Sequence, residues 1–63
     1  MKYYYYKIKS RKHSNQKWVL KRDSLLSFDE LVIGHEYCNG RFYFVPVELL
    51  MLYEDDNLIY EKR

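Results

Sequence analysis

The first 22 residues of the chain contain no aspartate and no glutamate. Their charged residues are all basic: Lys2, Lys7, Lys9, Arg11, Lys12, Lys17, Lys21 and Arg22. Residues 23–63 hold all nine acids and only three basic residues, so the net charge of +2 is the sum of +8 and −6. A basic segment that is also rich in aromatic rings favours a polyanion or an acidic protein surface as its partner.

Cysteine is nearly absent as well. Cys38 is the single cysteine, so no internal disulfide can form, and a lone thiol is typical of a reducing compartment. His35 and Cys38 have a spacing found in zinc sites, but no second pair accompanies them, and we expect neither metal nor cofactor. The segment after Met1 lacks the apolar stretch of a secretory signal, and no run reaches the about 18 apolar residues of a membrane span. We therefore expect a cytoplasmic protein without membrane contact.

Glycine and catalytic motifs are scarce too. Gly34 and Gly40 are the only glycines, so the chain has neither a Gly-rich phosphate loop nor a Gly-x-Ser-x-Gly nucleophile motif. We expect a binding protein and not an enzyme.

A single domain of 63 residues buries a small core, so dense aromatic packing or self-association must add stability. Because eight tyrosines exceed what such a core encloses, we expect a homodimer.

Residues 2–11 alternate with the period of a β-strand. One side, here called the core face, carries Lys2, Tyr4, Tyr6, Ile8 and Ser10. The other side, here called the outer face, carries Tyr3, Tyr5, Lys7, Lys9 and Arg11. Residues 17–22 repeat the alternation, and the polar residues 13–16 between the two segments predict a turn. A basic, tyrosine-rich β-hairpin is therefore predicted at the start of the chain.

The register of this hairpin follows from its apolar side chains. If Trp18 and Leu20 are to share the core face, the loop must have an odd number of residues, and residues 14–16 supply three. This register pairs Ser10 with Leu20, and it places Lys9 opposite Lys21. Like charges in such a position are destabilising, unless an anion lies between them.

Residues 24–33 change from a strand period to a helical one. Three apolar residues fall on one helical stripe: Leu25, Phe28 and Val32. Ser27 and Glu30 have the spacing of a capping box, and Gly34 is well placed to end a helix. A short helix is predicted here, with a strand that includes residues 31–33 as the alternative.

The clearest local signal is Asn39-Gly40 between residues 35–38 and 41–45. This pair predicts a β-hairpin, because both central positions of the favoured turn need a positive φ. Pro46 has no amide hydrogen, so we expect the second strand to end there and a short turn to follow over residues 46–50.

The rest of the chain predicts a strand over residues 50–53, an acidic turn over 54–57 and a last strand over 58–61. One continuous helix from Pro46 onward is the alternative, disfavoured by three poor helix formers at Asp55–Asn57. The stretch Phe44–Leu50, a strand that ends at a proline and is followed by a short turn, resembles the end of an SH3-like barrel. The chain lacks the acidic loop and the paired tryptophans of peptide-binding SH3 domains, so the resemblance implies no ligand.

These patterns together predict a mostly β protein of the small α+β type. We expect a compact antiparallel sheet or an SH3-like barrel, with one short helix near residues 24–33.

The function that the sequence favours is docking of the basic N-terminal hairpin onto nucleic acid or a nucleoprotein target. Lysines and arginines would contact phosphates while tyrosines lie against bases or sugars. The candidate binding residues are Tyr3, Tyr5, Lys7, Lys9, Arg11, Lys17 and Lys21. One alternative is a small phage- or mobile-element-type inhibitor that binds and blocks a host protein, and another is a solvated edge without a ligand.

Overall fold

The computed structural model describes residues 1–11, 17–21 and 24–63 and shows one open antiparallel sheet. Its strands are β1 (Lys2–Arg11), β2 (Trp18–Leu20), β3 (Leu25–Ser27), β4 (Tyr37–Asn39), β5 (Phe42–Glu54) and β6 (Asn57–Glu61). The prediction of a mostly β protein is confirmed, and its form is the antiparallel sheet rather than an SH3-like barrel. None of the described residues is helical, so no membrane-spanning helix is found among them.

Two long strands, β1 and β5, pair side by side in the middle of the sheet. Each of them offers its other edge to two short strands. β2 pairs with the last residues of β1 and β3 with residues near its start, while β4 and β6 pair with the two ends of β5. The sheet is therefore four strands wide, with two short strands along each edge.

Four of the buried side chains lie on the predicted core face of β1. Tyr4, Tyr6, Ile8 and Ser10 are all buried, and Phe44 of β5 joins the apolar ones in a single cluster. Partly buried residues pack around this cluster, namely Leu25, Leu31, Tyr37, Leu49 and Leu52. Each fully buried apolar side chain contributes about 1.5–3 kcal/mol. The predicted alternation of β1 is thus confirmed.

Two tyrosine hydroxyls hold the segment between β3 and β4 against the core. The Tyr6 hydroxyl accepts a hydrogen bond from Leu31 N at 2.9 Å and donates one to Leu31 O at 3.3 Å. The Tyr37 hydroxyl accepts one from Val32 N at 2.9 Å. Burial raises the pKa of Tyr6, while its bond with the Leu31 backbone acts in the opposite direction. These bonds satisfy polar groups that would otherwise be costly to bury.

The helix predicted over residues 24–33 is absent. Leu25–Ser27 forms a strand on β1 instead, and Leu31–Ile33 belongs to no strand, so the alternative is wrong as well. The Ser27 hydroxyl accepts from Asp29 N at 3.2 Å and donates to Asp29 O at 2.8 Å, which turns the chain without starting a helix. Strand pairing is favoured over a helix here because the free edge of β1 offers hydrogen-bond partners to the backbone. The local sequence pattern does not reveal these partners.

β5 continues through Pro46, so the predicted end of the strand, the turn over residues 46–50 and the C-terminal helix are wrong. Two register shifts along the pairing with β1 leave Val47 and Leu50 without partner residues in β1. Such bulges interrupt the ladder, and next to one of them a proline is tolerated.

Both hairpins on β5 were predicted, and both are present. Asn39 pairs with Phe42, so the central turn residues are Gly40 and Arg41, one position later than expected. Gly40 has a φ of +64° and Arg41 has no positive φ, as in a type II′ turn. The predicted turn over residues 54–57 is confirmed, with Asp55 and Asp56 at φ 49° and 66°, as in a type I′ turn.

Candidate functional site

The predicted site residues lie at two different ends of the sheet. We call the end formed by the last residues of β1, by β2 and by the β4–β5 turn the basic end. The acidic end is formed by the first residues of β1 and by the β5–β6 turn. Lys9 and Arg11 lie at the basic end, whereas Tyr3 and Tyr5 lie towards the acidic end. The outer face of β1 is therefore divided into a cationic part and an aromatic part.

The β1–β2 pairing differs from the predicted register by one residue. Lys9 pairs with Leu20, Ser10 with Val19 and Arg11 with Trp18. A shift of one residue moves every side chain of a strand to the other face. Trp18 and Leu20 consequently share the outer face with Lys9 and Arg11, and the predicted core position of both is wrong. The predicted turn over residues 13–16 lies outside the described residues.

The same shift separates Lys9 from Lys21. The Lys21 amide donates to Ile8 O at 2.8 Å, so Lys21 lies beside Ile8 and not opposite Lys9. Side chains alternate along a strand, which directs Lys21 to the core-face side together with Val19. The predicted pair of opposed lysines is wrong, and the two cations lie on different faces.

Aromatic rings hold the cations of the outer face at the basic end. The Arg11 guanidinium lies 5.1 Å from the centre of the Trp18 ring and 5.0 Å from that of Tyr43. Lys9 Nζ lies 5.5 Å from the centre of the Trp18 ring. Arg11 also forms an ion pair with Glu36, with 3.2 Å between Nη2 and Oε1. Cation–π contacts at exposed sites contribute about 0.5–1 kcal/mol each, which fixes the direction of the guanidinium.

A groove of about 700 Å³ opens at the basic end, and we call it the basic groove. Its lining includes three cations from three parts of the chain, namely Arg11, Lys21 and Arg41. Phe42 and Tyr43 line it as well, and none of the described carboxylates does. Arg11 is ion-paired with Glu36, which does not line the groove, so Lys21 and Arg41 are the cations that raise the local potential there and attract anions.

Arg41 was not among the predicted site residues. The available signal was its place directly after the predicted turn, where it is the only lysine or arginine between Arg22 and Lys62. The sequence around Arg41 does not show that this turn lies beside the end of β1. Lys17 directly precedes Trp18, and therefore also lies at the basic end.

Part of the basic charge is balanced within the sheet. Lys7 lies opposite Glu48 and Lys2 lies opposite Glu54 across the β1–β5 pairing. Glu48 forms an ion pair with Lys62 too. Opposite charges that face each other across strands stabilise a sheet by about 0.2–1 kcal/mol. Lys7 is therefore the predicted site residue that is most directly matched by an acid of the same sheet.

Tyr3 and Tyr5 pack against other rings and not beside the basic groove. The ring centres of Tyr3 and Phe28 are 4.9 Å apart, and those of Tyr5 and Tyr53 are 5.8 Å apart in an edge-to-face arrangement. Both tyrosines line a second groove of about 450 Å³, which Asp56 also lines. The structure does not bring these rings together with the cations of the basic groove.

The suggested half of a zinc site stays incomplete in the part of the chain that the structure describes. The His35 ring packs at 4.7 Å from the Tyr37 ring, and the Cys38 thiol donates to Gly40 O at 2.9 Å. Among the described residues, no group of three or more potential metal ligands is close enough together to hold an ion.

Comparisons of the chain with protein-family models, with curated proteins and with solved structures found no match.

Proposed function

We propose that the chain is a non-enzymatic binding protein that contacts nucleic acid through the basic groove. The observation that carries this proposal is the convergence of Arg11, Lys21 and Arg41 around a groove whose described lining contains no carboxylate. Phosphates are the anions that such a set of cations binds along a nucleic acid, and arginine binds them through two parallel hydrogen bonds.

The rings in the groove add a second kind of contact. Phe42 and Tyr43 are each about two fifths exposed, at 40% and 41%. A half-exposed ring offers a surface on which a base stacks, and such stacking contributes about 1–3 kcal/mol per base. In this proposal they replace Tyr3 and Tyr5 as the stacking residues, while Lys9 and Lys17 extend the cationic surface beyond the groove.

Two double variants with the same change in net charge test the proposal. Lys21→Gln with Arg41→Gln removes two cations of the groove, and Lys2→Gln with Lys7→Gln removes two that face acids of β5. Binding of labelled single- and double-stranded oligonucleotides is measured by fluorescence anisotropy at several salt concentrations. The groove variant should lose binding, and each lost phosphate contact should flatten the log–log salt slope by about 0.7–0.9.

The control variant should bind nearly as the wild type does. An equal loss in both variants would mean that net charge alone attracts the oligonucleotide, and the groove would have no special part. If the wild type binds neither oligonucleotide at low salt, the nucleic-acid proposal falls.

One observation favours the second candidate, a phage- or mobile-element-type inhibitor that blocks a host protein. Apolar side chains are exposed beside Tyr3, with Leu26 at 50% and Phe28 at 59% of their full exposure. Exposed apolar surface with a polar rim is typical of protein-binding sites. A partner bound there would give a shallow salt dependence, in contrast to the steep one expected for phosphates.

A further inference from the structure

The outer edge of β6 is an unusually open part of the sheet. β6 has five residues, whereas β2, β3 and β4, which share the edges of the sheet with it, have three each. No described strand pairs with its outer side. Its apolar residues are exposed, with Leu58 at 48%, Ile59 at 56% and Tyr60 at 45%. Such an edge is a template for a further strand, and β6 contains neither the lysine nor the proline that commonly blocks one.

Ile59 occupies a special place within β6. Leu58 pairs with Tyr53 and Tyr60 pairs with Leu52, so Ile59 between them has no partner residue in β5. Ile59 is therefore the extra residue of a β-bulge, at the centre of the apolar part of β6.

The charges on either side of β6 are arranged with opposite signs. Asp55 and Asp56 precede the strand, and Lys62 and Arg63 follow it. If a second copy runs antiparallel with Ile59 opposite Ile59, then Leu58 lies opposite Tyr60 and Asn57 opposite Glu61. Asp56, the turn residue next to β6, then lies near Lys62 of the other copy, whereas Asp55 lies on the β5 side of the turn. A parallel arrangement would bring acids against acids, which is unfavourable.

We propose that two copies of the chain pair antiparallel through the outer edge of β6, about a two-fold axis at Ile59. The merged sheet is eight strands wide, because each copy contributes four strands. A closed two-fold pairing uses the edge of both copies and leaves no β6 edge for a third. Since the two copies run in opposite directions, their basic grooves lie at opposite ends of the dimer and stay accessible.

A disulfide at the axis tests this geometry. Directly opposite residues in antiparallel strands have Cα atoms about 4.5–5.5 Å apart, within the range that a disulfide spans. Ile59→Cys in a Cys38→Ser background should therefore give a covalent dimer under mild oxidation. The matched control is Leu26→Cys in the same background, because Leu26 is similarly exposed but lies in β3 on the other edge. Equal cross-linking of both variants, or none in either, would overturn the proposal.

A charge exchange supplies a second, independent test by sedimentation. Asp56→Lys and Lys62→Asp each turn two opposite-charge pairs of the dimer into like-charge pairs, so each should weaken it roughly tenfold. An equimolar mixture should dimerise again, because the new lysine of one copy then faces the new aspartate of the other. A mixture that associates no better than its components would contradict the pairing. A wild type that stays monomeric at about 100 times the micromolar concentration at which half of such a dimer dissociates would contradict it as well. Circular dichroism melts of both variants show whether the fold is retained.

Discussion

One turn precedes β5 and another follows it, and these two turns lie at opposite ends of the sheet and carry opposite charge. The turn before β5 is Gly40-Arg41 and borders the basic groove, whereas the turn after it is Asp55-Asp56. Asp55 also binds the N-terminal ammonium at 2.9 Å. β1 runs from the acidic end to the basic end, and its ten residues span about 33 Å at about 3.3 Å each. The two turns that flank β5 thus differ in charge at the two ends of the molecule, whose longest dimension is 39 Å.

The aromatic residues differ between the two ends as well. At the basic end the rings of Trp18 and Tyr43 contact the guanidinium of Arg11. At the acidic end the ring of Tyr3 contacts Phe28. Rings paired with cations fit an anionic partner, while rings paired with rings fit an apolar one. Similar composition thus yields two surfaces with different ring contacts.

The largest expected effect on stability comes from Gly40→Val. A Cβ at this position would meet no atom within 4 Å, so the whole cost comes from the positive φ of 64°. We expect a loss of about 2 kcal/mol in the free energy of unfolding, measured by denaturant titration. Arg41→Val, at the neighbouring turn position without a positive φ, is the control and should cost much less. Equal costs would show that the turn geometry differs from the one described.

A smaller effect should separate the cations of the two ends. Arg11→Met removes two cation–π contacts and an ion pair, whereas Lys2→Met removes only the charge opposite Glu54. We expect a loss of about 1 kcal/mol for the first and about 0.3 kcal/mol for the second, from thermal melts at low salt. Similar losses at both ends would mean that the rings around Arg11 contribute little.

The smallest effect, and of opposite sign, is expected for Asp56→Gly at the acidic turn. Asp56 has a φ of 66°, which glycine adopts at no steric cost. We expect the variant to gain about 0.5 kcal/mol, since aspartate tolerates this region better than most residues do. Asn57→Gly, at the first residue of β6, should destabilise the protein instead, because it removes the hydrogen bond that Asn57 Nδ2 donates to Asp55 O and because glycine loses more backbone entropy on folding. Destabilisation by both variants would argue against a type I′ turn.

The strand β1 could be predicted from the sequence because ten residues alternate without interruption. The strands predicted over residues 41–45 and 50–53 are the two ends of β5, but its continuity between them could not be predicted, and its two bulges are the reason. The residues of β5 that face Ser10, Ile8, Tyr6 and Tyr4 are, in that order, Phe44, Pro46, Leu49 and Leu52. Their spacings of two, three and three residues do not follow the two-residue period of a strand. They are closer to the period of a turn or a helix. Bulges of this kind depend on the partner strand and leave no local signature.

The helix predicted over residues 24–33 failed for a related reason. Of the apolar stripe on which it rested, Leu25 packs against the core, but Phe28 and Val32 are among the exposed residues. The Ser27 hydroxyl does bond locally, but to the backbone of Asp29 and not to that of Glu30 as the predicted capping box requires. A distant pairing with β1 nevertheless decided the conformation, and single-sequence patterns do not report such pairings.

The candidate site could be predicted only in part. Arg11 and Lys21 were found from charge and alternation, and both line the basic groove. Their arrangement was predicted wrongly because the apolar pattern favoured a β1–β2 register that differs from the observed one by one residue. Arg41 needed the tertiary fold, which alone brings the β4–β5 turn beside the end of β1.

The two bulges also set the outline of the sheet. Eleven residues of β5, Phe44–Glu54, run beside nine residues of β1, Lys2–Ser10. The extra backbone amounts to about 7 Å of contour length, and the two strands stay in register only if the longer one follows the outside of an arc. β1 then lies on the inside of the bend. Both long strands have two short strands along their other edges, so no long neighbouring strand has to follow this bend.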